Sequence, residues 1–177
     1  MFRLLAERIV RAPVHSRLRP ALLRMLGARI GSGVRIDEVM FINLSVGFRN
    51  LLVHDYAYLG AGTIIDLTGM IEIGAHTSIS PGCTLMSHSD PGSTYGNELA
   101  AHYPRTSSGI RVGAHCWVGC RSTILDGVTI GDRAVVGAAS LVTRDVDTEM
   151  IAFGVPARVM RRLEPAVVAL QPELVTP

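Results

Sequence analysis

Between Val118 and Thr143 the chain reads VGCRST ILDGVT IGDRAV VGAASL VT, and an aliphatic residue returns at every sixth position: Val118, Ile124, Ile130, Val136 and Val142. The residue after each of them is small or polar, with Leu125 the exception. An amphipathic helix would repeat its apolar residues at spacings of three and four, and a half-buried strand would alternate strictly. A period of six fits neither. It fits a parallel β-helix, in which each hexad supplies one short strand and one corner and about three hexads make a coil. The aliphatic side chain then points inward and stacks on its counterparts above and below. The small residue relieves a corner where a Cβ would clash.

The same beat starts at Ile30 (IGSGVR IDEVMF INLSVG), is disturbed near Phe48, and resumes at Val53 (VHDYAY LGAGTI IDLTGM). Two extra residues precede Ile73, after which IGAHTS ISPGCT L restores it. From Met86 to Gly109 the beat stops, and at Val112 it returns as VGAHCW VGCRST. With coils predicted on both sides, MSHSDPGSTYGNELAAHYPRTSSG reads as a loop extruded from the solenoid, and its Ser, Gly, Pro and Asp content agrees. A loop of that length inside a compact domain is more often functional than accidental.

Upstream, FRLLAERIVRAPVHSRLRPALLRMLG carries Leu and Ile at helical spacings broken by Pro13 and Pro20, which predicts two short helices or helical turns closed by Gly27. Downstream, IAFGVPARVMRRL predicts a strand, a turn at Gly154–Pro156 and a short basic helix, with 165–177 a weakly ordered tail. The chain therefore divides into an N-terminal helical segment (1–29), an all-β hexad solenoid (30–150, with its loop at 86–109) and a C-terminal segment of strand, basic helix and tail (151–177).

Composition narrows this further. A chain of 177 residues suits one domain. Apolar residues at 48% with aromatics at only 5% fit a narrow interior that accepts Val, Ile and Leu but few rings. The net charge of +2 argues against general nucleic-acid binding. The charge is uneven, however, with seven arginines and one glutamate between Phe2 and Ile30. Such a cluster is either an anionic or membrane-surface patch or the solvated face of a helix packed on the end of the solenoid. Cys83, Cys116 and Cys120 form no CxxC pair and leave an odd thiol under any pairing, which points to a reducing cytosol. No apolar run is long enough to span a membrane and the N-terminus lacks a signal-peptide core. A soluble, cytoplasmic protein is expected, one able to associate peripherally with membrane-linked glycan synthesis.

The hexads, the SHSDP of the broken loop, WVG at 117–119, the run GVTIGDRAVVGAASLVTRDV and the ending GVPARVMRR together resemble the hexapeptide-repeat acyltransferases. Within them the chain is most similar to sugar O-acetyltransferases: the maltose and galactoside enzymes and those that decorate surface polysaccharides and nodulation factors. The resemblance spans roughly residues 30–162 and is most specific in its C-terminal half. It implies a left-handed parallel β-helix, against the usual right-handed crossover. It also implies a homotrimer with sites between subunits, and acetyl-CoA as donor.

Acetyl transfer to a hydroxyl needs a base, and imidazole accepts a proton near neutrality. His88 opens the extruded loop just beyond the inward-facing Leu85, free to face a substrate, and the resemblance makes it the base. Asp90, two residues on, can orient that ring, contact the sugar or cap a turn. Asp66 stands where related enzymes hold an acidic or amide residue near the acceptor, and can equally cap its corner; Asn43 and Asn50 are nearby polar candidates. LGAG at 59–62 departs from the asparagine some galactoside enzymes carry a few residues before this place, which leaves the acceptor open. Trp117 matches a tryptophan beside the acceptor and thioester. For the donor, the resemblance carries contacts to Cys120, Ala138, Thr143, Arg144, Arg158 and Arg161. Small corner residues suit the pantetheine arm and arginines suit the phosphates.

Zinc-binding carbonic anhydrases of the γ class share this fold, but their HxxxxH pair is absent among His15, His54, His76, His88, His102 and His115, so no metal is expected. His76 and His115 fall at equivalent places in IGAH and VGAH, which suggests outward-facing corners. The reading that results is an acetyl-CoA-dependent O-acetyltransferase acting on a sugar hydroxyl by direct transfer, with a backbone amide stabilising the oxyanion. A non-sugar acceptor (an antibiotic, an amino sugar or an amino acid) keeps the donor and changes the partner. A non-catalytic trimeric scaffold is the reading from another class.

Overall fold

The computed structural model describes residues 16–92 and 95–164. The helical turn expected before Ser16 and the tail expected at 165–177 lie outside the described residues. The chain enters through α1 (Arg19–Met25), which has Pro20 in its first turn and ends at Gly27 with φ +100°, a conformation that favours glycine. Leu23, fully buried, plugs the base of the solenoid.

The solenoid is a stack of triangular coils. The first wall stacks Arg29–Ile30, Leu51–Val53, Ile71–Ile73, Ile110–Val112 and Thr129–Ile130 in parallel. The second stacks Arg35–Ile36, Tyr58–Leu59, Ser78–Ile79, Trp117–Val118, Val135–Val136 and Met150–Gly154. The third stacks Met40–Ile42, Ile64–Asp66, Thr84–Leu85, Thr123–Ile124 and Leu141–Val142. The chain visits the walls in that order coil after coil, giving a left-handed parallel β-helix.

Register keeps the hexad positions in line: Val118 lies between Ile79 and Val136, and Ile124 between Leu85 and Val142. All of these are buried. Each contributes about 1.5–3 kcal/mol on burial, more than the net worth of the few hydrogen bonds a two-residue strand can make. The inner column therefore sets the stability.

The glycines at the second hexad position serve the neighbouring coil, not the turn. A Cβ on Gly119 would lie 2.5 Å from the Ala138 amide nitrogen, and one on Gly74 would lie 2.3 Å from the Gly113 carbonyl carbon. Left-handed backbone falls two positions later, where His76, His115, Arg121, Arg133 and Ala139 adopt φ between 55° and 59°. The disturbance near Phe48 has a packing cause: its ring stands edge-on to Phe41 at 5.3 Å and fills the first coil. Cys83 and Cys116 take small inward positions, and burial pushes both thiols up; Cys120 is exposed, and all three are free.

Two elements depart from the repeat. Between Leu85 and Ile110 the chain leaves the coil as an arm. Its base is an antiparallel ribbon of His88–Ser89 with Thr106–Ser107, and it carries a 3-10 helix at Glu98–Ala101. The other departure corrects the sequence expectation. The basic segment after the Gly154–Pro156 turn is a strand, Ala157–Arg162, paired antiparallel with Met150–Gly154. The last strand of the second wall would otherwise present an unpaired edge, and pairing its backbone outweighs the helical preference of ARVMRR. Among the described residues no helix is long and apolar enough to cross a membrane.

Candidate active site

His88 stands at the corner between the third and first walls, where the arm begins. Its Nδ1 lies 2.6 Å from Asp66 Oδ2, and 20% of its side chain is exposed. Asp66 has no exposed surface at all. Its Oδ1 accepts from Asn43 Nδ2 at 2.9 Å, Thr68 Oγ1 at 2.8 Å and the Thr68 amide at 3.1 Å. Its Oδ2 accepts from the Ser87 amide at 3.0 Å beside His88, with Ser87 Oγ 2.9 Å away. Burial works against a charge here. Hydrogen bonds from His88, Asn43 and Thr68 outweigh it and hold the carboxyl well below the usual carboxylate range. In the neutral ring, a charged Asp66 favours the tautomer with the proton on Nδ1, which makes Nε2 the nitrogen able to accept a proton.

This arrangement revises several sequence expectations. Asp66 is fully buried, so it lies behind His88 and not at a surface an acceptor could touch, and it also caps its own corner through Thr68. Asp90 does not orient the ring. Its Oδ1 closes a turn on the Gly92 amide at 2.7 Å, and its Oδ2 lies 3.8 Å from Arg105 Nε. Asn43 is spent on Asp66, and Asn50 donates to the carbonyls of Leu67 and Thr68.

Thr68 and Ser87 carry no motif that marks them in the sequence, yet both bind Asp66. Register held the signal. With Ile65 stacked on Leu85, Asp66 must lie one coil below the segment Met86–His88.

The remaining candidates sit elsewhere on the triangle. Cys120 and Ala138 share a groove of about 590 Å³ along the corner between the second and third walls, with Ala61, Gly82 and Arg121. Thr143 and Arg144 are exposed after the last third-wall strand, on the same corner as His88. Arg158 and Arg161 are exposed on the terminal strand, Arg161 within 3.9 Å of Glu164, and Arg162 is engaged by Glu149 at 2.7 Å. Trp117, 57% exposed with its Nε1 donating to Ser80 Oγ at 3.0 Å, lies on the second wall, opposite the His88 corner.

Residues 109–144 match the family model described as bacterial transferase hexapeptide (six repeats). The chain is 32% identical over 149 residues to a galactoside O-acetyltransferase of Escherichia coli (strain K12), covering 82% of this chain and 68% of that one. It is 34% identical over 145 residues to an Escherichia coli (strain K12) protein named as a colanic acid biosynthesis acetyltransferase, WcaF, covering 82% and 75%. The chain belongs to the bacterial hexapeptide-repeat acetyltransferases. A solved galactoside acetyltransferase in complex with coenzyme A superposes with a TM-score of 0.72 at 28% identity, over 90% of this chain and 78% of that one.

The groove of this acetyltransferase is lined by alanine and glycine together with Pro81, Cys120 and Arg121, so a molecule lying in it can approach the backbone closely. Among the described residues no three His, Cys, Asp or Glu side chains converge as a metal site would need. His76 and His115 face outward, their rings stacked at 4.9 Å, and Tyr56 continues the stack at 5.0 Å.

Proposed function

We propose that this protein transfers an acetyl group from acetyl-CoA to a hydroxyl of a sugar or glycan, with His88 as general base and Asp66 as the residue that positions it. The observation that carries the reading is the 2.6 Å pair between His88 and a fully buried Asp66, which leaves Nε2 as the only open proton acceptor of the ring. The sugar acceptor is supported by the likeness to a galactoside O-acetyltransferase, and the donor by the likeness to a coenzyme A complex.

Acetyl-CoA supplies an acyl group already activated as a thioester. His88 takes the hydroxyl proton at Nε2 as the acceptor oxygen bonds to the acyl carbon. Asp66 steadies the resulting imidazolium, which then returns the proton to the departing sulfur. Cys120 and Ala138 line the path of the pantetheine arm; Thr143, Arg144, Arg158 and Arg161 serve the phosphorylated end.

A single copy keeps His88, the groove and Trp117 on different sides of the triangle. A threefold assembly brings the base of one copy against the groove of the next. Purified protein incubated with acetyl-CoA and a panel of sugars tests the reading: release of free thiol that depends on a sugar supports it. Release that depends only on amines or amino acids, or no release at all, would overturn it in favour of another acceptor or a scaffold.

A further inference from the structure

Ser87 shares a carboxylate oxygen with His88. It has no exposed surface and directly precedes His88, where the arm leaves the third wall. Its amide donates to Asp66 Oδ2 at 3.0 Å. Its Oγ lies 2.9 Å from the same oxygen and 2.9 Å from the Asp66 carbonyl oxygen, and accepts the Gly69 amide at 2.8 Å. The hydroxyl thus receives one hydrogen bond and has one proton to give, with two acceptors in reach. A charged oxygen is the stronger acceptor, so the proton goes to Oδ2.

Oδ2 is also the oxygen that His88 Nδ1 meets at 2.6 Å. Each further donor on it draws charge away from the histidine, and in a buried cluster such effects are not damped by solvent. The amide donor belongs to the backbone. The hydroxyl is the donor that a side-chain change at Ser87 removes while leaving the His88–Asp66 pair in place.

We propose that the Ser87 hydroxyl, acting through Asp66, limits how strongly the carboxylate stabilises a protonated His88. This rests on the reading of His88 as general base. A base must take a proton and return it within one turnover, and an imidazolium held too tightly returns it slowly. Ser87 is therefore a positioning residue whose effect is read in the pH dependence.

The other charged groups around this corner are distinct from the cluster. On the arm, Asp90 and Arg105 lie 3.8 Å apart, with Glu98 and His102 on and beside the 3-10 helix. On the coil above, Asp126 accepts Thr106 Oγ1 at 2.9 Å. One coil further stand Arg144 and Asp145, the latter accepting the Thr129 amide at 2.7 Å. On the first wall, Glu72 lies 3.1 Å from His54 and 3.9 Å from Arg111. All of these persist in a Ser87 variant, so a changed titration reports the lost hydroxyl.

Two profiles of the full chain test the proposal: the sugar-dependent rate against pH at saturating acetyl-CoA, and the His88 ring-proton resonance titrated by NMR without substrates. In Ser87→Ala, with one donor gone from Oδ2, the imidazolium persists to higher pH. The acid limb and the resonance midpoint should both move up by about half a unit to one unit, the worth of one such hydrogen bond. The KM for acetyl-CoA should stay near wild type. A purely structural Ser87 would lower the plateau rate and leave the limb where it is. Ser87→Cys, close in size but a weak donor, gives the same reading should Ser87→Ala fail to fold. Ser87→Thr keeps the hydroxyl and should keep the wild-type midpoint. Midpoints that stay in place in Ser87→Ala or Ser87→Cys, or that move to lower pH, overturn the proposal. A shifted resonance in a protein whose wild type shows no sugar-dependent turnover upholds the coupling and overturns the acetyl-transfer reading alone.

Discussion

A carboxylate with no exposed surface is tolerated only when its lone pairs are met, and Asp66 meets them with Asn43, Thr68, Ser87 and His88. An amide at that position would set an N–H against the Ser87 N–H or lose the tautomer of His88. Asp66→Asn should therefore lower kcat by up to roughly 10⁴-fold, the loss that the wrong histidine tautomer causes in a serine-protease triad. The KM for acetyl-CoA should stay near wild type. Steady-state kinetics in both substrates checks this, and an unchanged kcat would remove Asp66 from the mechanism.

The same carboxyl makes a stability prediction. Its pKa is depressed in the folded state, so its contribution is complete above the unfolded value of about 3.9 and is lost as pH falls from there through the folded value. Below about pH 4 the wild-type Tm should fall more steeply than that of Asp66→Asn; parallel curves would contradict it. The position of His88 at the start of the arm was legible in the sequence because it comes just after the last inward aliphatic before the beat stops. The pairing of Asp66 with His88 was not, because a corner aspartate reads alike whether it caps a turn, meets a sugar or holds a histidine.

At the scale of elements, the hexads alone located the walls, since a six-residue period has one structural solution with an inward column. They did not locate the fate of ARVMRR, whose composition suits a helix. Its strand conformation comes from an open sheet edge that exists only once the second wall is built. Nor did they reveal that the small second positions answer to the adjacent coil. Gly119→Val tests that point: its Cβ would meet the Ala138 amide nitrogen at 2.5 Å, and the variant should lose about 1–3 kcal/mol of stability by denaturant titration. On the terminal strand, Arg158→Ala and Arg161→Ala should each weaken CoA by about 1–2 kcal/mol if their exposed guanidinium groups hold phosphate. Isothermal titration with CoA and dephospho-CoA separates the arginine that holds the 3′-phosphate, which should matter less for the second ligand. Two silent variants would make this end a solvated basic face.

For the whole molecule, the triangular section decides what one copy can do. His88 and the groove that holds Cys120 and Ala138 occupy different corners, with the third wall between them. A catalytically competent particle should therefore be a trimer by light scattering at micromolar concentration, and an active monomer would refute the shared site. Subunits carrying His88→Ala should regain activity when mixed with subunits whose groove is blocked, because one working base then faces one open groove.

Turnover of His88→Ala tests the central claim most directly. Sugar-dependent thiol release should drop by roughly 10²–10⁴-fold, the usual worth of a general base. The acid limb of the pH–rate profile should disappear, while CoA affinity and trimer mass stay close to wild type and the melting temperature falls, because the buried Asp66 loses one of its partners. A folded, trimeric His88→Ala protein that acetylates at near the wild-type rate would contradict the account and leave the buried pair with Asp66 as a structural feature only.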